Sequence, residues 1–187
     1  MRDRLDEIGP VAFARDEAMA LAAIIGDRWE DGQTSIASEH LATSVIRSLL
    51  FDALSAVPAS TTGPRVLFGS TSGERHDLGL IAAAIVARAA GADVLFVGAD
   101  IPEADLIAAV ETAGADILAL GFVCSPTDEI ERVLQSVRSA LPASVEVWIG
   151  GQGIRGCAPV RGVDRIETLE RIEAFVLEAR RGDREVA

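Results

Sequence analysis

The chain has 187 residues, 49% of them apolar and 4% aromatic, with a formal net charge of -12. That length fits one compact domain or a domain with a helical appendage, and the charge argues against direct nucleic-acid binding, because a phosphate backbone would repel such a surface. No stretch reaches the roughly 20 uninterrupted apolar residues of a membrane span, and MRDRLDEIGP lacks the apolar run of a signal peptide, so a cytoplasmic protein without a membrane partner is expected.

Residues 1–57 are helical in period. Gly9-Pro10 separates a short charged turn from a helix expected from about Val11 to Glu30, with Ala18, Ala22, Ile25 and Trp29 recurring on one face. Asp31-Gly32 is a stop signal, and Thr34 or Ser35 can cap the next helix. That helix carries Leu41, Val45, Ile46, Leu49, Leu50 and Leu54 as a second apolar stripe. The two helices are expected to form an antiparallel hairpin, a partial bundle. Residues 58–64, PASTTGP, read as a linker to the rest of the chain.

Residues 65–187 alternate β-rich and helical runs. The expected strands are RVLFGS (65–70), ADVLFVG (92–98), ADILALGFV (115–123), VEVWIGG (145–151) and a weak fifth at 162–166. Helices follow the first, second, third and fifth, the last running to about Arg180. Apolar strands alternating with helices imply a parallel sheet covered on both faces. The expected fold is α/β, a five-stranded Rossmann-like (flavodoxin-like) sheet of order 2-1-3-4-5, with ligands beyond the carboxyl ends of the strands at the switch point.

The loop after the first strand, GSTSGERHDLG (69–79), contains His76, one of only two histidines in the chain. An imidazole there can ligate a metal while Glu74 or Asp77 fixes its other nitrogen. Two other readings stand beside this one. A Gly/Ser-rich loop before a helix can cradle phosphate, although two acids disfavour an anion and neither phosphate motif is present. The histidine can also be a polar cap. Cys124 and Cys157 have no metal or redox spacing and read as free thiols.

Glu74-Arg75-His76-Asp77-Leu78-Gly79 resembles the (D/E)xHxxG motif of cobalamin-binding domains. Gly150-Gly151 is similar to that family's glycine pair, and the helical hairpin to its usual cap, so the resemblance covers about residues 10–180. It implies cobalamin (B12) bound with its own base displaced. His76 would be the lower axial ligand of cobalt, with Glu74 as its partner and Asp77 the alternative. Gly79 would let the backbone approach the nucleotide tail, and Gly150 and Gly151 would make room for it. One element departs: Gly121 stands where the family's third-strand SxL serine is usual. Ser125 or Thr127 is left to supply a hydroxyl, unless Cys124 and Ser125 merely end the strand.

Trp29, nine intervening residues and then Glu39-His40 resemble the Wx9EH signature of light-sensing cobalamin regulators of the CarH and LitR group. With the turn near Gln33, Trp29 and His40 lie about 6 and 10 Å up their helices and reach the same layer. The resemblance implies that Trp29 packs over the upper, 5′-deoxyadenosyl face and that Glu39 contacts the adenosyl group. His40 would take the upper axial position on cobalt after light has broken the cobalt–carbon bond. Read without the resemblance, Trp29 is a staple between helices and Glu39-His40 a solvated face.

No MerR-like DNA-binding segment is present, and the cap is short. Apolar stripes left open by an incomplete bundle mark an association surface, so the hairpin is expected to self-associate or to meet a partner transcription regulator. In this the chain resembles the short cobalamin-binding anti-repressors of purple bacteria. Met1 followed by a charged stub reads like a natural start, a truncated regulator being the alternative. The expected function is a non-enzymatic cobalamin sensor, photoreceptive and acting on transcription through a partner. Adenosylcobalamin, hydroxocobalamin or methylcobalamin would be the working form. The alternative is a corrinoid carrier of a methyltransferase or mutase system, whose usual DxHDIGK stands here as ExHDLGL. A flavodoxin-like module without cobalt is the third reading.

Overall fold

The structure is a computed structural model and describes residues 1–181. The sixth to last residue onward, including the expected domain boundary at 187, lies outside the described residues. Helix α1 (Arg2–Ile8) leads into α2 (Pro10–Ala12), which opens on proline, a residue suited to a first helical turn. A π-helical segment (Phe13–Ala18) then joins α2 to α3 (Met19–Glu30). The helix expected from about Val11 to Glu30 is thus present as one continuous helical run, with a π-helical stretch inside it. The wider π turn brings Phe13, Ala14 and Ala18 to the same fully buried side.

Helix α4 (Ile36–Ala56) is capped by Ser35, whose hydroxyl accepts from the Ser38 N–H at 3.2 Å. Its buried residues are Ile46, Leu49, Leu50, Ala53 and Leu54. Leu41 and Val45, expected in that stripe, are 69% and 46% exposed instead. The C-terminal half of α4 packs against the sheet domain, whereas the N-terminal half has no such partner on the side where these two residues lie.

The sheet is parallel, in the expected order β2-β1-β3-β4-β5. Its strands are β1 (Arg65–Thr71), β2 (Asp93–Ile101), β3 (Ile117–Gly121), β4 (Glu146–Gly150) and β5 (Val163–Ile166). Helix α5 (Leu78–Ala89) follows β1 and α6 (Glu103–Ala113) follows β2; α7 (Thr127–Ala140) and α8 (Leu169–Arg181) follow β3 and β5. Two apolar clusters divide the core. One joins α5, α8 and the helical hairpin over Phe68, Ala119 and Trp148, and the other lies under α6 and α7.

Helix α5 is apolar almost all round (LGLIAAAIVARA) because it is covered on both sides, by the hairpin and by the sheet. Full burial of Ile81 and Ile85 stabilises this junction by about 1.5–3 kcal/mol each. Two polar contacts fix the hairpin on the sheet domain. Arg88 donates to the Leu54 carbonyl of α4 at 3.0 Å, and Arg47 of α4 donates to Asp77, just before α5, at 2.9 Å. Among the described residues no helix is long and apolar enough to cross a membrane.

Candidate functional site

The strand order reverses at β1, so the loops after β1 and β3 face one another beyond the carboxyl ends of the sheet. Glu74 joins them. It is wholly buried, an unusual place for a carboxylate unless every lone pair is used. Its Oε2 accepts from the backbone N–H groups of Val123 (2.7 Å), Cys124 (2.9 Å) and Ser125 (3.2 Å), and from the Ser125 hydroxyl (3.1 Å). Its Oε1 lies 2.6 Å from Nδ1 of His76 and also accepts the His76 N–H. Burial alone would raise this carboxyl's pKa. The N–H groups of Val123 and Cys124 and the His76 ring outweigh it and bring the pKa down to about 2.

An ionised carboxylate only accepts, so Nδ1 of His76 carries a proton, and in the neutral ring Nε2 presents a lone pair. Nε2 lies 3.8 Å from the Cys124 thiol, which burial and the nearby Glu74 and Glu30 carboxylates hold above the usual thiol range. Asp77, the alternative partner for His76, instead takes both of its oxygens to Arg47.

His76 lies at the edge of a cavity of about 490 Å³ that runs over the sheet face under α5 and α8. Gly79, Gly121, Gly150 and Gly151 all line it. A Cβ added at Gly79 would meet nothing within 4 Å, so that backbone borders open space. Gly151 has φ 97°, and a Cβ there would fall 2.1 Å from the Phe122 carbonyl oxygen. The glycine lets the β3 and β4 loops close on each other.

Trp29, Glu39 and His40 are outside this lining. Trp29, in the last turn of α3, is 48% exposed. Glu39 and His40 form a second carboxylate–imidazole pair, with Glu39 Oε2 at 2.6 Å from His40 Nδ1, and the Thr43 hydroxyl donates to Oε1 at 2.6 Å. The Thr43 hydrogen bond, then the His40 ring and, across the gap, the His76 imidazole lower the Glu39 pKa. Both histidines therefore direct Nδ1 to a glutamate oxygen.

Four features escaped the sequence: the N–H groups of Val123, Cys124 and Ser125 around Glu74, the Thr43 hydroxyl on Glu39, the Arg47–Asp77 pair and the Cys124 thiol beside His76. The hint in the sequence is the pair of small residues Cys124-Ser125, three and four positions beyond the end of β3.

A single imidazole nitrogen, fixed from behind by a buried carboxylate, is a donor set for a metal whose in-plane positions its own macrocycle fills. Among the described residues, no three His, Cys, Asp or Glu side chains converge to hold a bare ion. The long cavity beside the imidazole, opened by glycines, has room for an appended tail. The residues fit a corrinoid.

Comparison with known proteins defines the class. Residues 64–168 match the B12 binding domain family, and residues 1–51 match a second B12 binding domain model. The chain belongs to the B12-binding-domain family, and its cofactor is cobalamin.

It is 35% identical over 158 residues to the HTH-type transcriptional repressor CarH of Myxococcus xanthus, covering 82% of this chain and 52% of that protein. To the HTH-type transcriptional repressor CarA of the same organism it is 39% identical over 124 residues, covering 64% and 42%. The chain thus spans about half the length of these curated relatives. In fold it resembles the monomethylamine corrinoid protein of Methanosarcina barkeri, with a TM-score of 0.62, 16% identity and coverage of 84% and 77%. It also resembles the methanol:cobalamin methyltransferase complex MtaBC of the same organism, with a TM-score of 0.55, 17% identity and coverage of 96% and 72%.

Proposed function

We propose that this chain is a light-responsive cobalamin sensor that acts on transcription through a partner protein, and that it is not itself an enzyme. Residues 1–57 form its responsive cap, 58–64 the linker and 65–187 the cobalamin-binding domain. The observation that carries the reading is the His76 Nδ1–Glu74 contact of 2.6 Å, which leaves Nε2 as a lone-pair donor at the cavity mouth. His76 is the lower axial ligand of cobalt, with the cofactor's own base displaced. Bound cobalamin supplies a light-sensitive cobalt–carbon bond.

Trp29, Glu39 and His40 would border the light-sensitive side of the bound cofactor, and His40 would offer Nε2 to cobalt once the cobalt–carbon bond is broken. Its Nδ1 is already committed to Glu39. The kinship with two transcriptional repressors supports a regulatory role. The exposed apolar residues of the hairpin, Ile24, Ile36, Leu41 and Val45 among them, supply an association surface. A ligand shifts a conformational balance only through contacts that differ between the two states, and His40 provides such a contact.

The test is absorbance spectroscopy on protein loaded with adenosylcobalamin, in the dark and after light. His76→Ala is expected to lose the base-off spectrum with lower histidine ligation. His40→Ala is expected to keep the dark spectrum and change the illuminated one. An unchanged spectrum in His76→Ala overturns the lower-ligand assignment, and an unchanged illuminated spectrum in His40→Ala overturns the upper one. Methyl transfer from a methyl donor with a partner enzyme would favour a corrinoid carrier instead.

A further inference from the structure

The geometry points to a selectivity of this protein among corrinoids: it takes those whose tail ends in an apolar base and discriminates against purine-tailed ones. This inference rests on the reading of His76 as lower ligand. With Nε2 of His76 in the lower axial position, the base at the end of the nucleotide tail has to lie elsewhere, and the cavity of about 490 Å³ adjoins that imidazole.

The register of the sheet sets the chemistry of this cavity. Phe68, Ala119 and Trp148 are partners across β1, β3 and β4. A small residue between two aromatic ones makes a notch in the sheet face, and all three line the cavity together with Ala83 of α5 and Ile172 of α8. The apolar and polar linings differ in exposure: Phe68, Ala119 and Trp148 are buried. Gln152, Arg155, Glu167 and Thr168 also line the cavity and, like His76, are exposed. The Trp148 indole N–H donates to the Glu146 carboxylate at 2.9 Å. The backbones of Phe68, Ala119 and Trp148 belong to the sheet ladder.

Among the described residues, the buried floor of the cavity formed by Phe68, Ala119 and Trp148 is thus an aromatic and aliphatic surface, with the polar side chains of the lining on exposed residues. A dimethylbenzimidazole or phenolic base buries an apolar edge there. Adenine buries an amino group and ring nitrogens that stay unpaired, a loss that sites of this kind do not recover. Ala83 and Ala119 are the residues that set the width of the slot.

The experiment is a titration of the cofactor-free protein, followed by absorbance, with p-cresolylcobamide, adeninylcobamide and the tail-less cobinamide. A phenolic base has no nitrogen to hold cobalt and adenine holds it weakly, so neither result is dominated by the cost of displacing the base. We expect p-cresolylcobamide to bind at least about tenfold more tightly than adeninylcobamide. Affinities within roughly twofold of each other would overturn the inference.

In Ala83→Leu, a substitution at a half-buried helical position, both tailed corrinoids are expected to fall toward cobinamide while cobinamide itself is unaffected. Unchanged p-cresolylcobamide binding in that variant would also overturn the inference. Cobalamin titrated in parallel separates the two readings. A base-on spectrum of the bound form removes the His76 ligation and this inference together, whereas a base-off spectrum with equal affinities removes only this one.

Discussion

Glu74 and His76 are bound to each other at 2.6 Å, and the other oxygen of Glu74 is held by three consecutive backbone N–H groups 49 to 51 residues further along the chain. The imidazole is thus braced against the β3 loop through one buried carboxylate. Replacing Glu74 by glutamine keeps the shape but puts an amide N–H donor or an uncharged carbonyl oxygen against donors that need an anion. Partners that orient a metal-binding histidine typically matter by about 10- to 100-fold in affinity. A loss of that size in cobalamin affinity is expected for Glu74→Gln, measured by absorbance titration, with His76 itself untouched.

The same carboxylate makes stability depend on pH. Its pKa falls from an ordinary 4.5 to about 2 on folding. A depressed carboxylate stabilises the fold above its unfolded pKa and loses that contribution as the pH falls toward the folded one. A shift of this size corresponds to about 3 kcal/mol. Chemical denaturation of the cofactor-free protein is therefore expected to show stability falling between about pH 5 and pH 2. In Glu74→Gln this part of the pH dependence is expected to be absent.

Much of this architecture is written in local pattern. Period-2 and buried β runs locate the strands, and the Glu74-x-His76 spacing places a carboxylate and an imidazole in one loop. The rest depends on relations that sequence spacing does not encode. Main-chain N–H groups at Val123, Cys124 and Ser125 have no side-chain signature. Glu74, not Asp77, contacts the His76 ring, while Arg47 from another element engages Asp77. The notch at Ala119 exists only because the register sets it between Phe68 and Trp148. The apolar stripe of α4 divides because the sheet domain covers only part of the helix, a fact of packing and not of period.

Arg47 tethers the hairpin to the loop that carries His76. Asp77 is mostly buried and Arg47 about one-third exposed at the side chain, so the pair lies between surface bridges, worth under about 1 kcal/mol, and buried ones, where removing one partner costs roughly 3–5 kcal/mol. Arg47→Met, which keeps the stem and deletes the charge, is expected to destabilise the fold by about 1–2 kcal/mol. A thermal melt should then show a midpoint lower by several degrees for a chain of this size. A melt identical to wild type would mean that the tether contributes nothing to holding the cap.

Two glycines of the cavity separate folding from binding. Gly151 has a left-handed φ of 97°, and a Cβ there would approach the Phe122 carbonyl oxygen to 2.1 Å, so Gly151→Ala has to push the β3 and β4 loops apart. A loss of at least about 1–3 kcal/mol in stability is expected, read by denaturant unfolding. Gly79 is the opposite case. It is the second residue of α5, its added Cβ meets nothing within 4 Å, and it lines the cavity. Alanine is favoured over glycine within a helix by roughly 0.5–1 kcal/mol, so Gly79→Ala is expected to stabilise the cofactor-free protein. Its methyl group would stand in the space that the cofactor needs, and cobalamin affinity is expected to fall in the same variant. Gains in both stability and affinity would place the tail of the cofactor away from this turn of α5.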